Sequence, residues 1–206
     1  MKLVIATHNA HKVEELRRIL APQLSGIELV GYDGPEPVED GLTFADNALI
    51  KARAASAHTG LPAIADDSGI SVDALGGAPG IHSARYAGTR DDADNRRVLL
   101  ENLVGETDRT AHFECAAALV VPAGASSSAL SVPAEPFEHV ETGSWPGTVL
   151  LEAAGSSGFG YDPVFRPDGG TLSAAELTAN EKNAVSHRAI AFGRIIAVVR
   201  TELLGA

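Results

Sequence analysis

The sequence predicts an α/β fold, a mixed β-sheet flanked by helices, and three observations carry that prediction. Short apolar runs at residues 2–6, 27–31 and 61–65 read as buried strands. Between them lie segments of helical periodicity, with apolar residues at Val13, Leu16, Ile19 and Leu20 and again at Phe44, Ala48, Ala52 and Ala55. A closing segment carries Ala189, Phe192, Ile195, Ile196, Val199 and Leu203 at three-to-four spacing. Strands alternating with helices bury their apolar faces by packing helices on a sheet.

Taken in order, residues 2–6 form a strand, residues 7–12 a strand-to-helix turn, and 13–20 a helix. A second short strand at 27–31 leads into a polar loop with Pro35 and Pro37 that ends at Asp40 and Gly41. Thr43 is placed to cap the next helix, which keeps Asn47 and Lys51 off its apolar face. The strand at 61–65 ends on Asp66, Asp67, Ser68 and Gly69. A glycine-rich turn follows at 76–80, then a helix at 91–103 and a long strand at 110–121. Residues 122–136, rich in Ala, Ser and Pro, read as a flexible hairpin loop, with strands resuming at 137–141 and, last, at 148–151.

The 206 residues, 45% of them apolar, suit one domain spanning 1–206 with a core that needs no covalent staple. Cys115 is the sole cysteine and sits in an alternating apolar run, which excludes a disulfide framework and leaves too few thiols for structural zinc. His8, Asn9, His11 and Lys12 interrupt the N-terminal apolar run before a signal-peptide core forms, and no segment reaches the length of a membrane span. The expected location is therefore cytoplasmic, with no membrane partner. A formal net charge of −11 opposes non-specific binding to nucleic acid, while a polyanionic small substrate still fits a cleft that concentrates a few cations and a metal.

Three constellations carry chemistry. Thr7, His8, Asn9, Ala10, His11 and Lys12 lie where a strand feeds a helix, so free N–H groups, the helix dipole and the Lys12 ammonium face an anion there. Thr and Asn are equally ordinary helix caps, and no glycine-rich cradle makes this a Walker loop. Asp66 and Asp67 follow a buried strand, where α/β sheets place ligands; adjacent acids call for a cation, and Mg²⁺ suits carboxylates plus phosphate oxygens. Glu39 and Asp40 are candidates for a third carboxylate, and turn chemistry is the alternative reading of all these acids. Finally, glycines flank Phe159 in the run Gly158, Phe159, Gly160, Tyr161, Asp162; the ring is placed to stack on a base and Asp162 to accept hydrogen bonds from one. Lys182, His187 and Arg188 fall on different faces of a continuous helix, so a shared ligand requires a break, predicted near Ser186.

These motifs, from residues 7–12 through Gly41-Leu42-Thr43-Phe44, the run at 61–69, Gly76-Gly77-Ala78-Pro79-Gly80 and residues 158–163 to Ser186-His187-Arg188, closely resemble the inosine and xanthosine triphosphate pyrophosphatases over nearly the whole chain. The resemblance implies an elongated two-lobed α/β fold with a central substrate cleft, a homodimer, a Mg²⁺ requirement, and hydrolysis of dITP, ITP and XTP to monophosphate and pyrophosphate. It implies triphosphate contacts at residues 7–12 and Ser68, and a general base at Asp67. It assigns the metal set to Glu39 with Asp66 or Asp67, and the base pocket to Phe159, Gly160, Tyr161, Asp162, Lys182, His187 and Arg188. The main departure from the family's pattern is the segment 122–136. Two rivals stand beside this reading: a pyrophosphatase for a different base, and a regulatory module that binds ITP without cleaving it. A metal-and-base set intact at Lys12, Glu39, Asp66 and Asp67 argues against the second.

Overall fold

The computed structural model describes residues 1–124 and 135–205, so most of the expected hairpin loop at 122–136 lies outside the described residues. The elements are β1 (Lys2–Ile5), α1 (Ala10–Leu20), β2 (Glu28–Gly31), α2 (Phe44–Thr59), β3 (Ala63–Val72), α3 (Asp92–Asn102), β4 (Thr110–Val121), β5 (Phe137–Val149), β6 (Phe165–Pro167), α4 (Ala179–Val185) and α5 (His187–Leu204). The strands form a six-stranded sheet in the order β2-β1-β3-β4-β5-β6. β1 runs parallel to β2 and β3, and β6 is antiparallel to β5, which makes the sheet mixed as expected. Among the described residues no helix is long and apolar enough to cross a membrane.

The chain divides into two compact units. Unit 1 comprises Met1–Asp67, Cys115–Gly143 and Arg188–Ala206; unit 2 comprises Ser68–Glu114 and Ser144–His187. In unit 1, strand alternation sends Leu3, Ile5, Ile64, Cys115, Ala117 and Leu119 into a core with Leu16 and Leu20 of α1 and Phe192 and Ile195 of α5. Their neighbours Val4, Ala63, Ala65, Ala116 and Ala118 face the other way, onto Ala48, Ala52 and Ala55 of α2. The alanines on both surfaces let α2 lie close to the sheet. Unit 2 packs Ile70, Val72, Leu99, Phe113, Trp145 and Phe165 into its own core, with Phe113 and Phe165 edge-on at 4.6 Å.

Three boundaries differ from expectation. α1 begins at Ala10 rather than after residue 12, because Asn9 caps it by accepting from the N–H groups of His11 and Lys12. β3 does not end on the Asp pair but continues to Val72, with both acids inside it. The strand expected at 148–151 is not separate: β5 runs on through Pro146 and Gly147 to Val149, and a further strand, β6, follows it. Gly147 permits this because a Cβ there would run into the Arg166 carbonyl and the Phe165 ring of β6.

Candidate active site

Residues in an extended strand alternate sides, so adjacent acids in β3 point to opposite faces of the sheet. Asp66 faces the side of α1 and α5. Its Oδ2 accepts from Lys12 Nζ at 3.0 Å and from Arg188 Nη2 and Nε at 3.1 and 3.3 Å. Arg188 in turn donates through Nη1 to Glu15 Oε2 at 2.7 Å. The result is a buried ionic chain, Glu15–Arg188–Asp66–Lys12, in which Asp66 is 1% and Arg188 2% exposed. Burial opposes the charge on Asp66, but Lys12, Arg188 and Lys51 together outweigh it and hold the carboxyl well below the ordinary carboxylate range. Burial likewise works against the Arg188 guanidinium, and Asp66 and Glu15 more than offset it.

Asp67 faces α2. Its Oδ1 accepts from Lys51 Nζ at 2.9 Å and its Oδ2 from Asn47 Nδ2 at 3.2 Å, while the same Lys51 nitrogen donates to Glu39 Oε2 at 3.2 Å. Helix α2 presents Asn47 and Lys51 one turn apart because Thr43 and Asp46 form a capping box that fixes where the helix starts. Asn47 also accepts the N–H of Gly41 at 2.9 Å, which ties the loop carrying Glu39 to the helix carrying Lys51. For Lys51, desolvation is outweighed by Asp67, Asp66 and Glu39, so its pKa is raised and it stays charged. Sequence reading placed Asn47 and Lys51 off the apolar face and gave them no role. Their signal was the four-residue spacing of two polar groups on a helix otherwise lined with alanine.

The acids expected to share one cation are thus divided. Among the described residues no three His, Cys, Asp or Glu side chains converge in the manner of a metal cage. Asp66 is engaged by Lys12 and Arg188, whereas Glu39 and Asp67 meet at one ammonium. That pair has the chemistry Mg²⁺ prefers: hard carboxylate oxygens, Glu39 half-buried and Asp67 buried, around a position that already holds a cationic nitrogen.

The turn before α1 is held from within. Thr7 Oγ1 accepts from the Asn9 N–H at 3.2 Å, and the Asn9 cap already engages the N–H groups of His11 and Lys12 at 2.9 and 3.2 Å. Capping and anion binding therefore compete for the same donors. His8 contacts the Gly34 carbonyl through Nε2 at 2.9 Å and lies against the Tyr32 ring. Ala10 and His11 are exposed in the first turn, and Lys12 is half-buried.

Unit 2 holds Ser68, half-buried on β3, and the glycine-rich loop. Asp162 Oδ2 accepts from the Phe159 N–H at 2.9 Å and from Lys182 Nζ at 2.6 Å, and that ammonium stands 5.1 Å from the centre of the Phe159 ring. The Tyr161 hydroxyl donates to the Ser83 carbonyl at 2.8 Å. Gly158 sits at φ +75°, and a Cβ there would collide with the Asp162 carboxylate. The helix breaks as predicted: α4 ends at Val185, Ser186 is extended, and α5 starts at His187. His187 stacks on Phe113 with ring centroids 4.7 Å apart, within an aromatic group that includes Trp145. Arg188, the second residue of α5, is held by Glu15 and Asp66.

The chain is similar to known proteins in both sequence and fold. The sequence profile of the Ham1 family matches residues 3–198. The dITP/XTP pyrophosphatase of Leifsonia xyli subsp. xyli is 52% identical over 203 residues, covering 97% of this chain and 96% of that protein. Among solved structures, the HAM1 protein of Coxiella burnetii superposes with a TM-score of 0.81 at 38% identity, covering 97% of this chain and 98% of that one. The nucleoside-triphosphatase, dITP/XTP pyrophosphatase, of Mycobacterium abscessus does so at 0.72 and 46% identity, covering 97% and 98%. A match that runs nearly end to end in both sequence and fold means that the chain belongs to the Ham1 family.

Proposed function

We propose that this chain is a Mg²⁺-dependent nucleoside triphosphate pyrophosphatase that hydrolyses the deaminated purine nucleotides dITP, ITP and XTP to monophosphate and pyrophosphate, cleansing the nucleotide pool. The observation that carries the reading is the meeting of Glu39 and Asp67 at the Lys51 ammonium, in a chain 52% identical to a dITP/XTP pyrophosphatase. Glu39 and Asp67 would hold Mg²⁺. When bound, the ion supplies positive charge to the phosphate oxygens and lowers the pKa of water. Asp67, its Oδ2 oriented by Asn47, takes the proton of the water that attacks the α-phosphorus. Lys12, steadied by Asp66, offsets charge growing on the departing pyrophosphate. Thr7, His8, Asn9, Ala10, His11 and Ser68 line the triphosphate in this reading.

Phe159 stacks on the purine, and donors such as His187, Arg188 or a backbone N–H read the 6-oxo edge. An adenine amino group would leave such donors unpaired. In this reading the protein is a cytoplasmic homodimer of a single 1–206 domain, and sedimentation velocity measures the dimer.

Pyrophosphate release is measured from dITP, XTP, dATP and dGTP, each with Mg²⁺ and with EDTA. The expected result is fast release from dITP and XTP with metal only, and a fall in kcat of about 10²–10⁴-fold in Asp67→Asn. Binding of ITP without cleavage would instead make the chain a sensor, and normal turnover in Asp67→Asn would remove the base assignment.

A further inference from the structure

Loop glycines at positive φ, Gly155 at +80°, Gly158 at +75° and Gly160 at +60°, give the segment around Phe159 wide conformational freedom. Three brackets remove that freedom. One is the Asp162 carboxylate, which holds the Phe159 N–H. Another is the Tyr161 hydroxyl on Ser83. The third comes from α3: Asp92 Oδ2 accepts from the Gly160 N–H at 2.7 Å, and Arg96 Nη1 donates to the Gly160 carbonyl at 2.6 Å.

Residues 92 and 96 are four apart on α3 and so share one helix face. They grip both polar groups of a single glycine, and both contacts are charge-assisted. With the peptide planes on either side of Gly160 fixed, and the N–H of Phe159 held by Asp162, the direction of the Phe159 Cα–Cβ bond is determined. In that orientation the Lys182 ammonium stands over the ring, 5.1 Å from its centre.

We propose that Asp92 and Arg96 are positioning residues for base selection: through Gly160 they set the direction in which the Phe159 side chain leaves the backbone and so govern which purine is accepted without touching it. This rests on the reading of Phe159 as the surface on which the base stacks. A loop released from α3 still offers an aromatic ring, but in many orientations, so binding weakens on the base side of the substrate and discrimination between purines narrows.

The test uses the full-length enzyme and compares the wild type with Arg96→Ala, Arg96→Lys and Asp92→Ala. Steady-state constants for dITP and dGTP are measured together with calorimetric affinities for inosine monophosphate and for pyrophosphate. Arg96→Ala is expected to raise KM for dITP and Kd for the monophosphate about tenfold, and to narrow the dITP-to-dGTP ratio of kcat/KM by about the same factor. Its kcat and its pyrophosphate affinity stay within about twofold of wild type. Arg96→Lys recovers part of the loss, since a lysine still donates to the carbonyl, and Asp92→Ala shifts the same quantities less.

Unchanged monophosphate affinity and discrimination in both alanine variants overturns the proposal. So does an equal loss of monophosphate and pyrophosphate affinity with a lowered Tm, which is what a general supporting role predicts. Should Arg96→Ala fail to fold, the exposed Asp92 carries the test by the same readouts. A wild type that releases pyrophosphate from no nucleotide sinks the proposed function instead, and the two binding measurements still decide whether α3 positions the loop.

Discussion

Unit 1 and unit 2 immobilise their polar groups by different means. In unit 1 side-chain charges hold one another: Glu15, Arg188, Asp66 and Lys12 form one buried chain, and Glu39, Lys51 and Asp67 form a second. In unit 2 side chains hold backbone: Asp162, Asp92 and Arg96 grip the peptide groups of Phe159 and Gly160, and one ion pair, Lys182–Asp162, stands behind them. The contrast follows from what each set is proposed to meet. A triphosphate presents mobile negative charge, and fixed cations must be ready for it without reorganising. A flat base presents an edge and a face, which are read by shape and by a correctly turned ring.

The sharpest way to break this comparison is to remove one buried cation from each unit. Arg188→Ala takes the guanidinium from two buried carboxylates, Glu15 and Asp66, and is expected to cost about 3–5 kcal/mol of folding stability in urea unfolding. Lys182→Ala strands only Asp162, which keeps the Phe159 N–H, so about 1–3 kcal/mol is expected from the same experiment. Equal costs would mean that the two units are held in the same way.

Acid titration sharpens it further. Asp66 has a folded pKa below its unfolded value, so its contribution is complete above the ordinary carboxylate range near about 3.9 and fades as pH drops through that range toward the folded value. In Arg188→Ala the carboxyl loses one of the cations that hold it down. The acid-unfolding midpoint should therefore move to higher pH than in wild type, and an unmoved midpoint would remove Asp66 from the account. The smallest expected effect is that of Thr43→Ala, which deletes the cap of α2 and should cost about 1 kcal/mol, read as a lower Tm.

Local signals in the sequence were enough for the parts of this picture that depend on neighbours along the chain. Thr43 caps α2, β4 spans Thr110–Val121, and the extended Ser186 separates α4 from α5. Each depends on a spacing of a few residues. The sequence misleads where a tertiary partner overrides the local rule. Two aspartates after an apolar run read as the end of a strand, yet Lys12, Arg188, Asn47 and Lys51 supply what allows both acids to remain inside β3. Arg188 lies 122 residues from Asp66 and 173 from Glu15, separations at which no periodicity speaks. The strands expected at 137–141 and 148–151 are one strand, β5, and at Gly147 the close approach of β6, 18 or more residues further on, leaves no room for a side chain.

The alternation of β3 has one more consequence. Even-numbered Ile64 and Asp66 belong to the layer of α1 and α5, and odd-numbered Ala63, Ala65 and Asp67 to the layer of α2. The two aspartates are chemically identical and are told apart only by parity. A slip of β3 by one residue would turn each aspartate to the other's face of the sheet, and would drive Ile64 into a layer made largely of alanine. The small side chains beneath α2 therefore do more than admit the helix closely: they act as an error check on the register of β3, because the wrong parity is also the wrong volume.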